Sequence, residues 1–262
     1  MHRLITWCFA LLSTGILLAE SPNVVVIVLD GTTHETLQAL RQKNRLTTPQ
    51  TLAHYKPLIA DPFTDHATAY APLLDPALWA HIHTHDPDRI TGLLLSNPPG
   101  TPNLTTEPVS ADWVAPEAPR SVYPVVQAAT AFITEHADSP FFLVFNITDI
   151  EATGRRTRAG AQAYSDTITR CDQALTALFT TLKSLDRSTQ ILVTASFGFA
   201  PNTRNALGTT TTWLASTQPM PIIRHAADLP DALIATLGLP PRSAASPPEP
   251  TSPTDRCDTP AL

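Results

Sequence analysis

A carboxylate terminates the most apolar run of this chain. Val24–Leu29 leads into Asp30-Gly31, followed by Thr32, Thr33 and His34. A second carboxylate, Asp149, follows the apolar stretch Phe141–Ile147 after a single threonine, with Glu151 next to it and Gly154-Arg155-Arg156 behind. Acidic side chains at the ends of buried strands are placed to hold a divalent cation. Each also has a plainer use: Asp30 as a cap for the next helix, and Glu151 as a loop acid facing solvent. A third cluster reads Ala-His-Ile-His-Thr-His-Asp-Pro and contains His81, His83, His85 and Asp86. On a strand, its three imidazoles would share one face. On a helix, only His81 and His85 would, at i and i+4. The cluster is therefore either a metal site or a set of partly exposed rings. Ser196 follows Ile191–Thr194 at another strand end, and it could act as a nucleophile only beside a base, which the adjacent sequence does not supply. Arg155, Arg156 and Arg158 could bind phosphate, sulfate or carboxylate, or stand solvated on a loop. Thr32 and Thr33 read as first-turn caps.

The elements that must position these groups alternate between strand and helix. Val24–Leu29, Phe141–Ile147 and Ile191–Thr194 are short, continuous apolar runs, which suits strands covered on both faces. Glu35–Arg41, Ala77–Thr84, Val122–His136 and Gln162–Leu185 have helical spacing, and the last places Ile168, Cys171, Leu175, Leu178, Phe179 and Leu182 on one side. Asp228–Leu237 reads as a helix closed by Gly238, Ile222-Ile223 as a short strand and 50–55 as a short helix. Residues 57–76 and 93–119, rich in proline and polar residues, read as extended or loop segments. The fold class is α/β: a mostly parallel, doubly wound sheet with helices on both faces.

The first 19 residues have the form of a secretory signal: a short polar start, an apolar run from Leu4 to Leu18, and Ala19 before Glu20. Cleavage there predicts a secreted or periplasmic protein, and an uncleaved segment would make it anchored. Residues 20–240 form one domain, and the Pro/Ser-rich segment 241–262 is a tail. The mature chain keeps Cys171 and Cys257, which either pair in an oxidising compartment or stay free. The 262 residues carry a net charge of −6 without a basic stripe, which argues against nucleic acid. Only 9 glycines occur, and no glycine-rich phosphate loop is among them.

Five segments, taken in order, resemble the alkaline phosphatase superfamily, above all its sulfatase and nucleotide phosphodiesterase branches. PNVVVIVLDG at 22–31 is similar to the opening strand, whose terminal Asp binds metal. YAPLLDPALWAHIHTHDP at 70–87 resembles the nucleophile segment, and 140–182 the strand–Asp–loop–long-helix unit. RSTQILVTASFGFAPN at 187–202 resembles the strand that ends in Asp-His-Gly, and 220–240 the closing helix.

The resemblance implies metal ligation by Asp30 and Asp149, but it also shows what is missing. Arg155 stands where relatives place a histidine ligand after glycine. Ser196-Phe197-Gly198 occupies the Asp-His-Gly position, Asn205–Gly208 lacks a final histidine, and Leu74 falls at the nucleophile. Two carboxylates cannot complete two shells of about three ligands each. The site is thus expected to hold no metal, or one weakly bound Mg²⁺, Ca²⁺ or Zn²⁺. Arg155 could instead neutralise the acidic pair. The reading that follows is an exported domain that has lost hydrolysis and binds a partner: an anionic small molecule, a glycan or an envelope protein, with Arg155 and Arg156 as anion ligands. Two other readings stay open. One is a divergent metal-dependent phosphoester or sulfate ester hydrolase, and the other a metal-binding protein using His81, His83 and His85.

Overall fold

The computed structural model describes residues 21–47, 52, 54–62, 64–65, 69–96, 109–115, 121–200 and 202–242. Residues 1–19, read above as a signal, all of the chain after Arg242, and with it Cys257, lie outside the described residues, and so does the Cys171–Cys257 pairing. Cys171 itself is buried.

Seven strands form one sheet: β1 (Asn23–Leu29), β2 (His54–Ile59), β3 (Ile90–Leu94), β4 (Trp113–Val114), β5 (Phe141–Ile147), β6 (Thr189–Thr194) and β7 (Thr211–Ser216). Their order is β2-β7-β6-β1-β5-β3-β4. β1 lies between β5 and β6 in parallel register, β3 is parallel to β5, and β4 to β3. Only β7 and β2 run antiparallel to their neighbours. The sheet is mostly parallel, as its central apolar runs predict.

Helices cover both faces. α1 (His34–Gln42), α3 (Val122–Glu135), α4 (Asp149–Thr157) and α5 (Gln162–Lys183) pack with Val25, Ile27, Leu29, Phe141, Leu143 and Phe145 on one side. α2 (Pro76–His85) and α6 (Leu229–Thr236) pack with Val24, Val26, Val28, Phe142 and Val144 on the other. Every residue of β1 and β5 is buried, because alternate side chains enter two different cores. Gly238 closes α6 with φ +73, and Leu239 N–H returns to Ile234 O at 3.0 Å.

Three local expectations need correction. Tyr55, read as the end of a short helix, lies in β2, an edge strand that owes its form to pairing with β7 rather than to its own half-exposed pattern. The stretch 93–119 is not all loop: Leu93 and Leu94 end β3, and Trp113–Val114 is β4. Ile222-Ile223 makes no strand. The segment runs beside β2, where Ile59 N–H donates to Arg224 O at 2.8 Å.

Candidate functional site

β1 delivers Asp30 to the C-terminal edge of the sheet, where its N–H still donates to Ile147 O at 3.1 Å. The carboxylate is fully buried. Its Oδ2 accepts from the hydroxyl of Tyr70, in the segment before α2, and from Asn146 Nδ2 of β5 at 2.7 Å. Its Oδ1 accepts from the hydroxyl of Ser196, just past β6. Asn146 Nδ2 also lies 2.6 Å from the Tyr70 hydroxyl and 2.9 Å from Ser96 O, while Asn146 Oδ1 accepts from Ser96 N at 2.6 Å. Burial pushes the Asp30 carboxyl up to about 7. The bonds from Ser196, Tyr70 and Asn146 pull against this, and the nearby charge of Glu151 adds to it. Burial, followed by the Asp30 charge, raises the Tyr70 phenol well above its ordinary value.

The acid that faces Asp30 is thus Glu151. It is fully buried rather than solvated, which corrects the reading of it as a surface loop acid. Gly31, at φ +76, makes room for it: a Cβ there would stand 2.8 Å from Glu151 Cα and 2.8 Å from the Phe199 ring. Arg155 Nε donates to Glu151 Oε1 at 2.7 Å, one helical turn along α4, while the rest of the arginine reaches solvent. Asp149 stands apart from this network. Burial raises its carboxyl above the ordinary range, the nearby charge of Arg170 and the N–H of Val122 at the start of α3 pull it back, and its Oδ2 is buried with no hydrogen-bond partner among the described residues. Ser121, the residue before α3, makes no side-chain capping bond.

No protein-family model and no curated protein sequence matches the chain, but solved structures do. It superimposes on the alkaline phosphatase of the Antarctic bacterium TAB5 with a TM-score of 0.58 at 10% identity, over 84% of this chain and 99% of that one. The lipoteichoic acid synthase LtaP from Listeria monocytogenes matches with a TM-score of 0.57 at 9% identity, over 85% and 73%. A superfamily protein from Vibrio parahaemolyticus gives 0.58 at 11%, over 84% and 67%. The fold is that of the alkaline phosphatase superfamily.

Within this alkaline-phosphatase fold, a divalent cation does not fit the residues present. A variant of the TAB5 enzyme holds Mg. Here the Asp30 oxygens face three hydrogen-bond donors, and Glu151 is held by Arg155. Among the described residues, no group of three or more His, Cys, Asp and Glu side chains could hold a metal ion. Hydroxyl and amide protons occupy the directions that a cation would need. Arg155 neutralises an acid, as anticipated, but the acid is Glu151.

The histidine cluster lies on helix α2, so the strand arrangement with three rings on one face does not form. The His81 and His85 rings stack with centroids 4.1 Å apart, and His85 Nδ1 lies 3.0 Å from His81 O. His81 Nε2 pairs with Pro240 O at 2.7 Å, whereas His83 Nε2 pairs with Ser110 O. Each ring is committed to a different backbone carbonyl. Leu74, at the nucleophile position of the resemblance, is half-buried against the apolar core beneath α2. Asp75 caps that helix through Ala77 N at 2.9 Å and binds Arg242. Thr33 caps α1 through Thr36 N at 3.2 Å, as expected, but Thr32 Oγ1 is buried without a partner among the described residues. Arg156 and Arg158 are exposed.

Tyr70 and Asn146 carry no sequence signal of their own. One is an aromatic in a proline-rich stretch, and the other a polar residue inside an apolar strand. Asn146 is the legible hint, since an amide buried at the centre of a parallel sheet must find partners there.

Proposed function

We propose that this chain is an exported, non-hydrolytic domain on the alkaline-phosphatase fold, whose role is to bind rather than to cleave. One observation carries the reading: Asp30, at the strand end where the resemblance places a metal ligand, is enclosed by Tyr70, Asn146 and Ser196. Two-metal ester hydrolysis needs ions that clamp both the attacking and the leaving oxygen. These residues offer a closed hydrogen-bond network instead, and leucine stands in place of a nucleophile. The ligand would be an anionic small molecule, a glycan or an envelope protein, met at the C-terminal edge of the sheet, where open α/β sheets recognise their ligands.

The test is elemental analysis of the purified full chain, together with turnover of aryl phosphate and aryl sulfate esters. We expect no stoichiometric metal and no turnover above buffer. Stoichiometric zinc or magnesium, with turnover lost in Asp30→Asn, would establish the divergent-hydrolase reading in its place. Metal retention lost on replacing His81, His83 and His85, but kept in Asp30→Asn, would establish the metal-binding reading. Export is tested by cell fractionation and by the mass of the mature N-terminus, with cleavage after Ala19 expected.

A further inference from the structure

We infer that Arg155, Arg156, Arg158 and Arg204 form an anion-binding rim, and that its ligand is an extended polyanion bearing sulfate or phosphate groups. This deepens the binding reading by naming the site and the class of ligand.

The rim joins two segments. Arg155 and Arg156 end α4 and Arg158 follows it, while Arg204 lies in the loop after β6. The segments are tied where Ala159 N–H donates to Thr203 O at 2.7 Å, which makes Arg158 and Arg204 neighbours across the junction. All four arginines are exposed. Among the described residues the side chains of Arg156, Arg158 and Arg204 have no hydrogen bond or ion pair, and Arg155 uses only its Nε, on buried Glu151. The sequence contains no acid from 152 to 165 or from 187 to 227. In a chain of net charge −6, these two stretches carry arginines and no acid.

Helix-end electrostatics explains basic residues in the last turn of α4, but it reaches neither Arg204 nor the backbone of Arg158. Arg158 has φ 98 and ψ 149, a conformation open essentially to glycine alone. Gly160, two residues on, also has positive φ. A glycine at 158 would relieve the backbone, so the arginine is held there for its side chain. Four forked guanidiniums spread over a helix end and a loop match several oxyanions on one chain better than they match a single ion. Arg155 links the rim to Glu151, and through it to the Asp30 network beneath.

The experiment measures binding of the full chain to heparin, to long-chain polyphosphate and to inorganic phosphate and sulfate, across a range of salt concentrations. Heparin or polyphosphate should bind at low salt, and the free ions should bind far more weakly. Heparin alone binding would assign sulfate groups, and polyphosphate alone phosphate groups. Arg158→Gly should keep or raise Tm while weakening polyanion binding several-fold. Arg204→Ala should weaken it similarly, and each change should lower the salt slope by about one. Lys183→Ala, at the far end of α5, should leave binding unchanged. No polyanion binding at low salt would overturn the inference, as would equal loss with Lys183→Ala or unchanged binding in both arginine variants. Ester turnover measured on the same samples separates the two readings: turnover with arginine-dependent binding sinks only the non-hydrolytic reading, whereas no turnover with arginine-independent binding sinks only the rim.

Discussion

Ser196 donates its hydroxyl to Oδ1 of Asp30, a residue 166 positions earlier in the chain. The bond joins the ends of β6 and β1, neighbouring parallel strands, at the point where the resemblance places two carboxylates around one ion. Tyr70 and Asn146 close the other side. A buried carboxylate with three protein donors is a stable arrangement without a counter-ion, provided that its proton balance suits the pH.

That balance gives a stability–pH relation. Asp30 titrates near 7 in the folded chain and near 3.8 when unfolded. Between those values the folded state therefore holds more protons than the unfolded one, and stability falls as pH rises through this window. The gap corresponds to at most on the order of 4 kcal/mol. Denaturant midpoints from pH 4 to about 8 should show this decline in the native chain, and Asp30→Asn should flatten it.

Tyr70→Phe removes one donor to Asp30 and one acceptor of Asn146 Nδ2. We expect a loss of about 1–3 kcal/mol at neutral pH, where the carboxylate is partly charged. Because the lost bond favours the ionised form, the midpoint of the pH-dependent decline should move above its native position. A midpoint that stays in place would mean that Tyr70 does not bond the carboxylate.

Asp149→Ala removes a half-buried carboxylate beside the charge of Arg170 and should cost about 1 kcal/mol by denaturant melts. The Asp30-dependent pH profile should be unchanged. A large shift in that profile would put Asp149 back beside Asp30.

Gly31→Ala combines a strained φ with a Cβ only 2.8 Å from the Glu151 backbone. Backbone is costly to displace, so a loss of at least about 2 kcal/mol is expected. Gly208 is the control, since it also has positive φ but an added Cβ would meet nothing within 4 Å. Gly208→Ala should cost about 1 kcal/mol, from the φ alone.

Much of the scaffold was legible because parallel strands buried on both faces must be apolar without interruption. β1 and β5 stand out for that reason, and α5 for its single apolar side. β2 and β4 were not legible, since edge strands take their form from a partner that local sequence does not name, and β7, held between β2 and β6, is short and half polar in its sequence.

Sequence alone determined that Asp30 would end a buried strand, while the absence of ligating histidines and of a nucleophile around it is what the resemblance implies. Tertiary structure decided which groups replaced them. Asp149 and Glu151 are two residues apart on a helix, so they point about 200° apart. Whichever one turns toward Asp30, the other must turn away, and only the phase of α4 against the sheet selects Glu151. The same holds for Tyr70 and Ser196, brought to one carboxylate from the segment before α2 and from the end of β6 by tertiary packing that no local pattern encodes.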